Sequence, residues 1–144
     1  MELLDTSVWA RKNNQQLRTW FAAALSLAEL ALCDMVALEL LHTAPTPTLY
    51  RQLADSLRGV PWVQMETQDW ERAREAQSLL AEQGNQLHRS VKNADLLIAA
   101  AAERVHLTLV HYDKDYDTIG AVTGQPTRWV APRGSLEASA QPRG

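Results

Sequence analysis

Apolar positions along this chain take two forms, short unbroken runs and longer stripes at helical spacing. Leu3-Leu4, Leu30-Ala31-Leu32-Cys33 and Thr108-Leu109-Val110 are unbroken runs, the mark of strands covered on both faces. Val60-Pro61-Trp62-Val63 and Arg128-Trp129-Val130 read as two further strands. Pro61 has no N–H to give a ladder, so its strand belongs at a sheet edge. Val8 to Arg11 reads as a helical turn. Leu17, Trp20, Phe21 and Ala24 form one face of a helix that Asn13 or Asn14 can cap. Asp34 is placed to cap a helix over Met35 to Leu41. Thr46 and Pro47 open a helix carrying Tyr50, Leu53, Ala54 and Leu57, and Gly59 ends it. Thr67 opens a longer one with Trp70, Ala73 and Leu80, closed by Gly84, and Ala94 to Arg104 is an alanine-rich helix. Trp20, Trp62 and Trp70 read as core or interface. Residues 132–144 are small and polar with Pro and Gly, and read as a flexible C-terminal tail after a domain over 1–131.

Strands that alternate with helices predict an α/β fold, with a mostly parallel sheet and helices on both faces. A ligand site in such a fold lies beyond the strands' carboxyl ends, where strand order reverses. Composition narrows the partners. The 144 residues are 46% apolar and 22% charged, as in one ordinary folded domain. Net charge is −3, from 14 Lys+Arg against 17 Asp+Glu. A nucleic-acid binder working by bulk charge is thereby excluded, and any such contact needs a local patch or bound cations. Cys33 is the one cysteine, which rules out an internal disulfide or multi-cysteine metal site and suits a reducing compartment. The first residues have no signal-peptide pattern, and the longest apolar run, Phe21 to Cys33, is too short to span a bilayer. The expected location is the cytoplasm.

Carboxylates stand where the site should be. Asp5 closes the first strand and precedes Thr6 and Ser7. Glu39 interrupts an apolar helix. Asp95 lies in the first turn of the alanine-rich helix, and Asp113, Asp115 and Asp117 follow the strand ending at Val110. Converging carboxylates oppose one another's ionisation unless a cation intervenes. Hard oxygen ligands select Mg²⁺ or Mn²⁺, which suggests metal-assisted hydrolysis of a phosphodiester. Taken singly, Asp95 also suits a helix N-terminal charge, Asp115 and Asp117 suit solvated loop positions, and Glu39 suits an outer helix face.

Asp5-Thr6-Ser7, the Glu39 helix, Asp95-Leu96-Leu97-Ile98-Ala99-Ala100 and Asp113-Lys114-Asp115-Tyr116 together resemble the PIN-domain ribonucleases. More narrowly, they resemble the VapC toxins of VapBC systems, over roughly residues 1–131. The resemblance implies a PIN-like three-layer fold and a Mg²⁺- or Mn²⁺-dependent endoribonuclease. By position, Asp5 and Asp95 match the principal metal ligands, Glu39 the supporting glutamate and Asp113 the fourth acidic residue. Many relatives carry Thr or Ser two residues before that aspartate. His111 stands there instead, either as a strand-end residue at the rim or as an RNA contact. Thr6, Ser7, Arg11 and Arg89 are further candidates for RNA contact, with Lys12 and Lys92 beside the same motifs. Trp9 reads as core, with base stacking the alternative. The resemblance also implies a homodimer, and part of the striped helices Thr46 to Arg58 and Thr67 to Gln83, including Tyr50 or Leu57, is expected in its interface. It implies a VapB-like antitoxin that carries the only DNA contact.

Two rivals remain. A phospho-receiver signalling domain needs an Asp ending a central strand, and Val60 to Val63 runs into Gln64-Met65-Glu66 instead. A non-catalytic PIN-like binding protein is disfavoured only because all four acidic positions are kept.

Overall fold

In a computed structural model, residues 1–138 of the chain are described. The elements run β1 (Glu2–Leu4), α1 (Thr6–Trp9), α2 (Arg18–Ser26), β2 (Leu30–Cys33), α3 (Asp34–His42), α4 (Pro47–Leu57) and β3 (Trp62–Val63). They continue with α5 (Thr67–Glu82), α6 (Leu87–Ser90), α7 (Asn93–Arg104), β4 (Leu109–His111), α8 (Asp115–Thr123), β5 (Thr127–Trp129) and α9 (Ser135–Ala138). The strands form one parallel five-stranded sheet in the order β3-β2-β1-β4-β5. The α/β reading therefore holds, and Pro61 precedes an edge strand as expected.

Successive side chains of a strand point to opposite faces. All four in β2 are buried, so the sheet is covered on both sides. The chain lays β2 and β3 to one side of β1, then returns to place β4 and β5 on the other. Strand order thus reverses between β1 and β4. Leu3 pairs with Leu109 and Leu4 with Val110, which puts Asp5 and the residues after His111 at the same end of neighbouring strands. Helix α7 is clamped to α5 by charge. Arg104 donates to Asp69 at 2.8 Å, and Arg72 to Glu103 at 2.7 Å. This fixes the helix that carries Asp95.

Several local expectations are corrected. Asn14 does not cap α2; its Oδ1 accepts from the Gln16 N–H at 2.9 Å, a local turn, and Leu17 precedes the helix without a side-chain bond. Asp34 is the first residue of α3 rather than its cap, because its carboxylate is spent on β3. It accepts from Trp62 Nε1 at 2.8 Å and from the Met65 N–H at 2.6 Å. Trp62 and Trp70 are exposed, not core. Leu57 is buried in the chain's own core and cannot serve an interface, whereas Leu49 and Tyr50 lie open. Helix α8 was not expected at all. It carries Asp115 and Asp117 in its first turn and ends at Gly124, whose φ of +75° suits only glycine at low cost.

The expected tail also differs. Leu136 is buried against Leu17 and Tyr112, its N–H donates to Tyr112 Oη, and Tyr112 donates to Glu137 at 2.6 Å. The segment up to residue 138 is packed; positions 139–144 lie outside the described residues.

Candidate active site

Asp5 leaves β1 in extended conformation and caps α1, accepting the Ser7 N–H on Oδ2 at 2.9 Å. It is 4% exposed. The next two hydroxyls tie the loop to its neighbours. Thr6 Oγ1 donates to Glu39 Oε1 at 2.6 Å, drawing α3 in, and Ser7 Oγ accepts the Tyr112 N–H at 2.9 Å, fixing the end of β4. Asp5-Thr6-Ser7 thus joins three pieces of chain distant in sequence.

Asp95 enters from the first turn of α7 and is as buried as Asp5. Between them stands Tyr116 of α8, fully buried. Its hydroxyl lies 2.5 Å from Asp5 Oδ1 and 3.2 Å from Asp95 Oδ1. Asp95 Oδ2 is buried with no hydrogen-bond partner among the described residues. Burial pushes the Asp95 carboxyl up to about 7, and the charges of Asp5 and Asp113 add to the push against Lys92 and the Tyr116 hydroxyl. Burial, then Asp5 and Asp95, hold the Tyr116 phenol well above its ordinary range, so it remains a donor.

Asp113 Oδ1 accepts the Asp115 N–H at 2.9 Å, starting α8. One carboxylate oxygen each from Asp95, Asp113 and Asp115 lies within 4.8 Å of the others. Burial and then Asp113 raise the Asp115 carboxyl, with Lys92 and Lys114 opposing. The donor set is oxygen only, dense in like charge, and contains one orphaned buried oxygen. That is the chemistry of a hard divalent cation site. Asp5 joins the group through Tyr116, and Glu39 through Thr6. Asp117 points elsewhere, both its oxygens accepting from Trp129 Nε1 at 3.1 Å.

The other candidates fall as follows. His111 is fully buried, its ring centroid 5.1 Å from Tyr116 and 5.0 Å from Trp129. Its Nδ1 accepts the Asp113 N–H at 3.2 Å, so the proton of the neutral ring sits on Nε2. Burial holds its pKa below the ordinary value against Asp117, Asp5 and Asp113. The proposed RNA contact at His111 is thereby corrected: no RNA can reach it, and it shapes the Asp113 turn instead. Arg11 lies at the rim but is engaged, donating to Ser7 O at 2.9 Å and stacking over Tyr112 at 4.6 Å. Arg89 is exposed on α6 and bonds Gln86 at 2.9 Å. Trp9 is buried edge-on to Phe21 at 5.1 Å, which removes base stacking. Burial pushes the Cys33 thiol up to about 11, leaving it inert.

Sequence reasoning missed one member and left another open: Tyr116 has no assigned role in the motif, and Asp115, which stands with Asp113 and Asp117 as a candidate for the fourth acidic residue, joins the cluster beside Asp113. The signal was their place four and five residues past the end of the buried strand β4.

A sequence profile of the PIN domain matches residues 3–122. The chain is 43% identical over 133 residues to Ribonuclease VapC18 of Mycobacterium tuberculosis (strain ATCC 25618 / H37Rv), covering 92% of this chain and 97% of that protein. It is 35% identical over 135 residues to Ribonuclease VapC51 of the same organism, covering 94% and 96%. Among solved structures, VapBC2 from Rickettsia felis, bound to a DNA fragment from their promoter, matches with a TM-score of 0.70. That match is 18% identical and covers 90% of this chain and 98% of that one, a likeness of fold.

Proposed function

The chain belongs to the PIN domain family, among its VapC members, and on that premise we propose that it is the toxin of a type II toxin–antitoxin system, an endoribonuclease that uses Mg²⁺ or Mn²⁺ to hydrolyse RNA phosphodiester bonds. The observation that carries this reading is Asp95. A carboxylate with a buried, unpartnered oxygen is costly, and here it faces a cluster of like charge that a cation would neutralise.

In this reading Asp95 and Asp5 are the principal ligands, and Asp113 with Asp115 completes the acidic wall. Glu39 supports from the far side of Thr6. A bound divalent ion supplies charge neutralisation at a phosphoryl oxygen and a lowered pKa for water. The chain's own residues hold the geometry. Thr6 and Ser7 fix the Asp5 loop rather than touching RNA, and the Asp113–Asp115 backbone bond sets the start of α8. Lys92 and Lys114 precede the first residues of α7 and α8, and both act on Asp115. Among the described residues neither is in an ion pair, so they are the cations best placed for RNA phosphate. Arg11 and Arg89 serve at the margin.

A VapB-like antitoxin, a homodimer and a cytoplasmic location complete the proposal. The described residues contain no helix long and apolar enough to cross a membrane. DNA contact belongs to the antitoxin.

The test is cleavage of RNA by purified protein with Mn²⁺ or with chelator, beside Asp5→Asn. Wild type is expected to cleave only with metal. Asp5→Asn, folded by circular dichroism, is expected to lose on the order of 100-fold in rate. Undiminished cleavage by the variant would refute the assignment. Metal binding without any cleavage would favour the non-catalytic rival.

A further inference from the structure

Three carboxylates can hold a cation only if their oxygens are turned toward it, and nothing in the proposed function says what turns them. Asp5 ends a strand and Asp95 starts a helix. Neither backbone dictates where the carboxylate plane faces. Each has a second oxygen with a different fate. Asp5 Oδ2 is taken by the Ser7 N–H, while Asp95 Oδ2 has no partner. The two Oδ1 atoms meet at one group, the Tyr116 hydroxyl. Its oxygen has no solvent contact, and its ring is held against His111.

The geometry points to Tyr116 as a positioning residue of the metal centre: its hydroxyl fastens Asp5 Oδ1 and Asp95 Oδ1 together, leaving Asp95 Oδ2 for the cation. This rests on the metal-dependent reading above. The sequence supports a dedicated role for the oxygen. A phenylalanine would fill the same space between α8 and the sheet. A hydroxyl buried here would be costly unless both acceptors needed it. One proton cannot satisfy two carboxylates at once. The hydroxyl therefore gives its proton at the shorter distance, to Asp5 Oδ1, and holds Asp95 Oδ1 beside it at 3.2 Å. Groups that orient metal ligands in this way commonly change metal affinity 10- to 100-fold when removed. A purely structural tyrosine would change stability alone.

The experiment is titration of the full chain with Mn²⁺ by calorimetry, at one pH, for wild type, Tyr116→Phe and Ile119→Val. The last removes one buried methylene one turn along α8 and controls for loss of stability. Tyr116→Phe is expected to bind Mn²⁺ about 10- to 100-fold more weakly, with Ile119→Val at wild-type affinity. A second variant, 3-fluorotyrosine at position 116, keeps both the shape and the donor. It is expected to hold wild-type affinity, which separates loss of the donor in Tyr116→Phe from a disturbed ring. Equal Mn²⁺ affinity of Tyr116→Phe and wild type overturns the role of Tyr116 while leaving the metal site standing. So does a fluorotyrosine protein that binds as weakly as Tyr116→Phe. A wild type that binds no Mn²⁺ overturns the metal reading and this inference together.

Discussion

Replacing Asp95 by Asn tests the electrostatics of the site without any substrate. The carboxyl is 4% exposed and its pKa is raised from the ordinary 3.8 to about 7. Between those values the folded chain keeps a proton that the unfolded chain has lost, so stability falls as pH rises and the loss is complete above about 7. Some three pH units at ~1.36 kcal/mol each give an upper figure of roughly 4 kcal/mol for metal-free protein at pH 8. Partial hydration of the site reduces this to about 2–4 kcal/mol. Asn keeps the shape, still accepts from Tyr116, and offers an N–H to the Asp113 and Asp115 side. Metal-free Asp95→Asn is therefore expected to melt roughly 5–15 °C above wild type at pH 8, with the gap closing by pH 4. His111 works in the opposite sense. Its lowered pKa means stability is lost as pH falls below about 6.5. That contribution is common to both proteins and cancels in the difference. Scanning calorimetry in chelator across pH 4 to 8 is the assay. Saturating Mn²⁺ should raise wild type and leave the variant unmoved. A difference that stays flat with pH, or a variant less stable at pH 8, would refute the claim that Asp95 is a strained charge.

Two further outcomes follow from packing. Leu136→Ala empties a position 2% exposed and is expected to cost about 2–4 kcal/mol in urea unfolding; no change would mean that α9 does not dock in solution. Light scattering of antitoxin-free protein at micromolar concentration is expected to show a dimer, and Tyr50→Arg, on the open face of α4, to shift it toward monomer. A wild type that is monomeric throughout would remove the proposed interface.

The sheet and most helices were legible because their signals are local. Leu30 to Cys33 is apolar at every position, which only a strand covered on both faces allows. Thr46 and Pro47 are a cap and a first-turn residue with no competing use. Asp5 stood out because it follows a strand at the very start of the chain. Where reading failed, a long-range partner had changed a residue's job. Asp34 looked like a cap until Trp62 and Met65 claimed it. Helix α8 carries only Tyr116 and Ile119 as buried residues, with Gly120 inside it, so its apolar period is too thin to see. Leu136 is one apolar residue in a polar stretch. His111 seemed a rim residue, yet a backbone N–H two residues on satisfies one of its nitrogens and lets it sink inside. That Asp115 rather than Asp117 faces Asp95 depends on where α8 begins.

The pairing of β1 with β4 also orders events in time. Leu3 lies beside both Ala31 and Leu109, so β1 gains β2 early but waits for more than a hundred residues of synthesis before β4 exists. Such distant pairing is slow to form, because the intervening chain must be closed into a loop first. Until β4 arrives, Ser7 lacks the Tyr112 N–H and Asp5 lacks Tyr116. The acidic centre therefore stays incomplete on the ribosome until β4 and α8 have been made.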